Sequence, residues 1–312
     1  MARRKKNKAP KPDPGAPFRC VICGETVGGA SRSEEHVFPG AIGGTLVYPE
    51  LCKPCNDTLG STVDVALTDH IGILGFRQKF GLTGKTGKVP VPFARGGVLV
   101  ERGVRTPFTW DGEYMHRKTT EWPTTNGREL VVDPRDAKNI PKIEAALRER
   151  GRSDTAVRVA DEVMRGVLEI PYKVETRSCE PCLVKIVYEL ACGLLGPAFL
   201  DEPFAQKTRA FLRTPGADID ATGIQGIFLT GRALMKMRGA REELLIGGLV
   251  RANGQIFGYT RLFNFLDAMI HISDRAHPQV TERGLAVCID VTRRDQEPVY
   301  TTFASLSRMP KP

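Results

Sequence analysis

Apolar positions along the chain follow two periodicities, and the change between them sets the expected architecture. Leu183, Ile186, Val187, Leu190, Ala191 and Leu194 recur every three or four residues, the spacing of one helix face. Lys185 and Glu189, four residues apart, form a charged pair on the opposite face. Gly196-Pro197 stops this helix. Residues 54–68 and 202–212 also read as helices, and 141–150 reads as one ended by Gly151. Beyond residue 240 the pattern shortens to strands. Residues 244–250 and 255–263 flank Asn253-Gly254, a strong signal for a type I′ hairpin. Strand patterns follow at 265–272, 285–291 and 299–303. A weaker hairpin, 89–94 with 98–101 around Gly96-Gly97, carries two prolines. A helix followed by consecutive hairpin strands predicts an α+β fold with a mostly antiparallel sheet.

Composition narrows the class without changing that expectation. The 312 residues suit about two domains, and 41% hydrophobic with 26% charged residues is ordinary for a globular chain. No apolar run approaches the ~18 residues of a membrane helix, and the charged start lacks the apolar stretch of a secretory signal. A cytoplasmic protein without a membrane partner is expected. The net charge of +9 is uneven. Arg3, Arg4, Lys5, Lys6, Lys8 and Lys11 crowd a proline-rich tail with almost no apolar side chains. Residues 1–16 are therefore expected to be disordered, serving as an electrostatic arm for phosphate backbones or as a solubilising terminus. The remainder divides into a Cys- and Gly-rich module at 17–75 and a larger α+β domain at 76–312, with a subdivision near 175.

The cysteines carry the most specific signal. Cys20-Val21-Ile22-Cys23 and Cys52-Lys53-Pro54-Cys55 are two CxxC pairs, whose four thiolates can surround one tetrahedral zinc ion. Four thiolates leave no open position, so this Zn2+ is expected to be structural and to supply folding energy to a small module. A third pair, Cys179 and Cys182, has no second pair to complete a site, and Cys182 falls on the apolar stripe of the 183–194 helix as a core residue. The 28 residues between the first two pairs exceed a simple zinc ribbon. They hold Glu34-Glu35-His36-Val37-Phe38-Pro39, then the Gly-rich 40–44, then a second strand leading to Cys52, with Asn56 directly after Cys55.

This order of CxxC, Glu-His-x-x-Pro, CxxC-Asn and helix resembles the HNH endonuclease family, whose ββα-metal motif is laced by a treble-clef zinc. The resemblance spans residues 17–70. It implies a metal-dependent endonuclease that hydrolyses phosphodiester bonds of nucleic acid, with double-stranded DNA as the expected substrate. It implies His36 as general base, a role histidine fills near neutral pH. It also places Glu35 and the Asn56 amide oxygen on a catalytic Mg2+ or Mn2+. Successive strand residues face opposite ways, so Glu35 and His36 can share a site only through a bulge or twist. For Asn56 the alternative is a helix N-cap. Where family members carry another His or Asn one turn beyond Asn56, this chain has Gly60. Asp64 lies ~12 Å further along the helix from Asn56, so it and His70 are expected outside the site, on the helix surface. His116, His271 and His277 show no ligand spacing. Two other functions remain open: a zinc-stabilised nucleic-acid binder without catalysis, and a defence nuclease whose 76–312 domain takes a protein partner or ligand.

Overall fold

The computed structural model describes residues 15–92, 96–101, 104–111, 114–125, 127–160, 167–170, 175–231, 234–235, 241–293 and 295–306. The basic residues Arg3, Arg4, Lys5, Lys6, Lys8 and Lys11 lie outside them. The chain forms two compact units, one from residues 1–90 with 175–312 and one from 91–174.

The first unit opens with a short ribbon, β1 (Phe18–Arg19) and β2 (Thr26–Val27), then an antiparallel pair, β3 (Arg32–His36) and β4 (Val47–Cys52). Helices α1 (Lys53–Thr68) and α2 (Ile71–Lys79) follow.

The second unit contains β5 (Gly97–Glu101), β6 (Val104–Trp110), β7 (Met115–Arg117), β8 (Thr120–Thr124), β9 (Gly127–Val132), α3 (Ile140–Glu149), β10 (Ala156–Val159) and β11 (Val167–Glu169). Its sheets run β10-β9-β8 and β11-β5-β6-β7. The hairpin expected around Gly96-Gly97 is replaced by another pairing. Gly97 opens β5, whose partner is β6, while 89–92 form no strand and 93–95 lie outside the described residues. Pro90 and Pro92 have no N–H to give to a ladder.

The first unit then resumes with α4 (Glu180–Leu195), α5 (Pro203–Leu212), β12 (Gly226–Thr230), β13 (Leu244–Ala252), β14 (Gln255–Leu262), β15 (Leu266–Ser273), β16 (Leu285–Asp290), β17 (Val299–Thr301) and α6 (Phe303–Leu306). These six strands form one antiparallel sheet in the order β12-β15-β14-β13-β16-β17. The turn between β13 and β14 has positive φ at both Asn253 and Gly254, as type I′ requires. The α+β class with an antiparallel sheet and an N-terminal ββα arrangement is what the chain adopts.

Helix α4 organises this unit. One side packs against β13, β14 and β15, and the other meets α1. Its approach to the sheet is close because two sheet positions lack side chains. A Cβ at Gly258 would lie 2.1 Å from a Val187 methyl, and one at Gly247 would lie 2.5 Å from a Leu190 methyl. Covered on both sides, α4 buries Lys185 and Glu189 completely. The charged pair on the face opposite the apolar stripe is therefore interior as well. Phe38, Ile42, Leu51 and Leu59 of the N-terminal segment share a single hydrophobic core with Ile186, Leu190, Leu245 and Leu262. The Tyr188 hydroxyl donates to the Val21 carbonyl and fastens α4 to the first CxxC pair.

Candidate functional site

Two backbone elements bring the four cysteines together. Cys20 and Cys23 lie on the connection between β1 and β2, while Cys52 ends β4 and Cys55 sits in the first turn of α1. Their ligand atoms all lie within 4.8 Å of one another, and Cys23 Sγ is 4.0 Å from Cys52 Sγ. A tetrahedron with Zn–S bonds of ~2.3 Å needs sulfurs about 3.8 Å apart, so the set fits one ion. The Cys52 amide donates to Cys20 Sγ at 3.4 Å, which orients that sulfur. Burial, then the neighbouring sulfurs, pushes the Cys55 thiol well above its ordinary range. Sulfurs crowded in this way resist ionising together, and a dication at their centre reverses that preference.

The β3–β4 pair sets the directions of Glu35 and His36. Arg32 faces Cys52 and Ser33 faces Leu51, then the register shifts, and Glu35 faces Tyr48 and His36 faces Val47. The extra residue falls on β4 beside Pro49, which has no N–H to pair. The irregularity thus lies before Glu35, and the two residues keep ordinary strand alternation. His36 is exposed, its ring lying over Gly40 in the Gly-rich loop. Glu35 is only 3% exposed and turns inward, where its carboxylate accepts from Lys185 of α4. The bulge that would put both side chains in one site is in the wrong place to do so.

Asn56 is brought to the same hairpin. Its Nδ2 donates to Ser33 Oγ at 2.7 Å and to the Glu34 carbonyl at 3.1 Å. A backbone carbonyl only accepts, so this pairing fixes the amide orientation and leaves Oδ1 as the available ligand atom. Cys52, and not Asn56, occupies the N-cap of α1, so the capping alternative does not apply. One turn on, Gly60 has open space where a Cβ would stand.

Asp64 and His70 depart from the helix-surface role expected of them. Asp64 accepts from Lys185 Nζ at 3.1 and 3.3 Å and from Cys182 Sγ at 3.5 Å. His70 is 7% exposed and caps α2, accepting from the Gly72 amide through Nδ1. Cys182 is a fully buried core residue, as its place on the stripe implies. Lys185 is the residue at this site that sequence reasoning missed. Its signal was present in a helix apolar on nearly every side, which marks burial of its few charges too.

Among the described residues, the four cysteines are the group of three or more His, Cys, Asp or Glu whose ligand atoms gather closely enough for a metal ion. Among the described residues, a second such group for a catalytic ion does not form around Glu35. Residues 20–72 match the family model of HNH endonucleases. No curated protein and no solved structure matches the chain. No helix among the described residues is long and apolar enough to cross a membrane.

Proposed function

We propose that the protein is a metal-dependent HNH endonuclease that hydrolyses phosphodiester bonds of DNA, with His36 as general base. The observation that carries this reading is the exposed imidazole at the end of β3, inside the 20–72 segment that matches the endonuclease family model. An attacking water gives its proton to the His36 ring nitrogen as it bonds to phosphorus, and the 3′ oxygen leaves. Asn56 ties the start of α1 to β3 and holds the base in register with the helix. The four cysteines hold a structural Zn2+ that fixes the same elements from the other end.

A Mg2+ or Mn2+ ion, when bound, neutralises charge on the leaving oxygen and phosphate. The Asn56 Oδ1 is available to it. Glu35 could join it only by giving up its buried hydrogen bond to Lys185, so that carboxylate has no part in the step. The tail cations Arg3, Arg4, Lys5, Lys6, Lys8 and Lys11 add sequence-independent attraction to DNA. A second reading, a zinc-stabilised nucleic-acid binder, is favoured by Gly60 and by the inward turn of Glu35.

Incubating supercoiled plasmid with the purified protein separates the two. The nuclease reading expects nicked or linear product with Mg2+ or Mn2+ and none with chelator, with ends bearing 5′-phosphate and 3′-hydroxyl. Retained DNA binding without cleavage under every ion tried would favour the binder.

A further inference from the structure

Helix α4, outside the segment that matches the nuclease family, delivers a cation to the underside of the candidate catalytic strand. Lys185 is wholly buried. Its Nζ donates to the Glu35 carboxylate, to the His36 backbone carbonyl at 3.0 Å and to Asp64 Oδ1 at 3.1 Å. An ammonium has three N–H groups, so these three partners use it completely. Glu189, one helical turn away, has an oxygen 3.8 Å from Nζ and no hydrogen bond on either oxygen.

The partners are arranged to hold a direction. Two of them are consecutive residues of β3, one through its side chain and one through its backbone. Gripping both fixes the rotation of the strand about its own axis, and that rotation decides where the His36 ring points on the far side. The third partner, Asp64, belongs to α1, so the same ammonium also sets the spacing between strand and helix. A side chain that merely filled the space would do neither. The Glu35 carboxylate, meanwhile, faces the ammonium. A divalent ion bound to it at ~2.1 Å would crowd a second cation against Nζ, on the face opposite to His36.

We propose that Lys185 is a positioning residue for His36, and that Glu35 is its counter-charge and not a ligand of the catalytic ion. This rests on the reading of His36 as general base, and it makes α4 part of the working nuclease module.

The test uses the full chain carrying Lys185→Met, Glu35→Gln, or both. Two readouts are followed: amide hydrogen exchange of residues 32–37, which needs no activity, and plasmid cleavage with kcat, KM and the half-saturating Mg2+ concentration. Lys185→Met should speed exchange at 32–37 and lower kcat, each by about tenfold or more, with KM for plasmid changed by less than about twofold. The double variant, with one fewer unpaired buried charge, should regain melting temperature but not kcat. Glu35→Gln keeps an acceptor for Lys185 and should leave half-saturating Mg2+ within about twofold of wild type. An increase of about tenfold or more in that requirement would show Glu35 to be an ion ligand and overturn the proposal. Unchanged exchange at 32–37 in Lys185→Met would overturn it as well. If Lys185→Met does not fold, Glu35→Gln decides by its Mg2+ requirement. An inactive wild type would instead overturn the nuclease reading, while exchange at 32–37 still reports whether Lys185 holds the strand.

Discussion

Lys185, itself wholly buried, faces three carboxylates, and the balance of charge there has a measurable consequence. Desolvation pulls the ammonium toward neutrality, but Glu189, Asp64 and Glu35 together outweigh it and keep the group charged. Burial raises Glu189 well above the ordinary carboxyl range; Lys185 opposes this, while Glu35 and Asp64 add to it. Glu35 is raised for the same first reason, burial, against the pull of Lys185. A carboxyl whose folded value is raised holds its proton more tightly in the native state than in the unfolded chain. Its contribution to stability is therefore present below the unfolded value of ~4.3 and is lost as pH rises through the folded value. A glutamine at position 189 does not titrate and escapes that loss. Glu189→Gln should therefore raise the melting temperature relative to wild type at pH 8, with the difference shrinking as pH falls toward about 4. An equal difference at both pH values, measured by thermal unfolding, would show that Glu189 titrates normally.

At the scale of elements, the contact between α4 and the sheet depends on missing side chains. Gly258→Ala places a methyl 2.1 Å from a Val187 carbon, and β14 cannot retreat without breaking its ladders to β13 and β15. The substitution should cost about 1–3 kcal/mol by overpacking, read from the denaturant midpoint. An unchanged midpoint would mean that α4 shifts freely. Much of this layer was legible in the chain. The Asn253-Gly254 turn and the apolar stripe from Leu183 to Leu194 are local signals, and both elements formed where they pointed. The CxxC pairs were equally readable, because two-residue spacing is itself the geometry of a ligand pair. The depth of Lys185 and Glu189 was signalled only by the apolar residues on nearly every side of their helix. An i,i+4 charged pair looks alike on a solvated face and against a buried carboxylate, and the partner, Glu35, lies 150 residues away. Helix α2 went unread, since no strong period announces it; the subdivision expected near 175 falls close to the end of the 91–174 unit, but the return of residues 175–312 to the first unit has no local signal.

For the whole molecule, the consequence is that the nuclease-like segment is not an appendage. Its core, the turn that carries Cys20 and Cys23, and its candidate catalytic strand are each tied to α4, through shared apolar packing, the Tyr188 hydroxyl and the Lys185 ammonium. The six-stranded sheet behind α4 thus serves as the base on which β3 is held. All of this bears on function only if the exposed imidazole at the end of β3 does the chemistry. The most direct measurement is the single-turnover cleavage rate of plasmid DNA by wild type and by His36→Ala, with zinc content and DNA binding determined on the same samples. Loss of a general base costs ~10²–10⁴-fold in rate, and His36 is neither one of the four cysteine ligands nor part of the core, so zinc and DNA binding should persist. Cleavage by His36→Ala at the wild-type rate, in protein free of contaminating nucleases, would contradict the assignment.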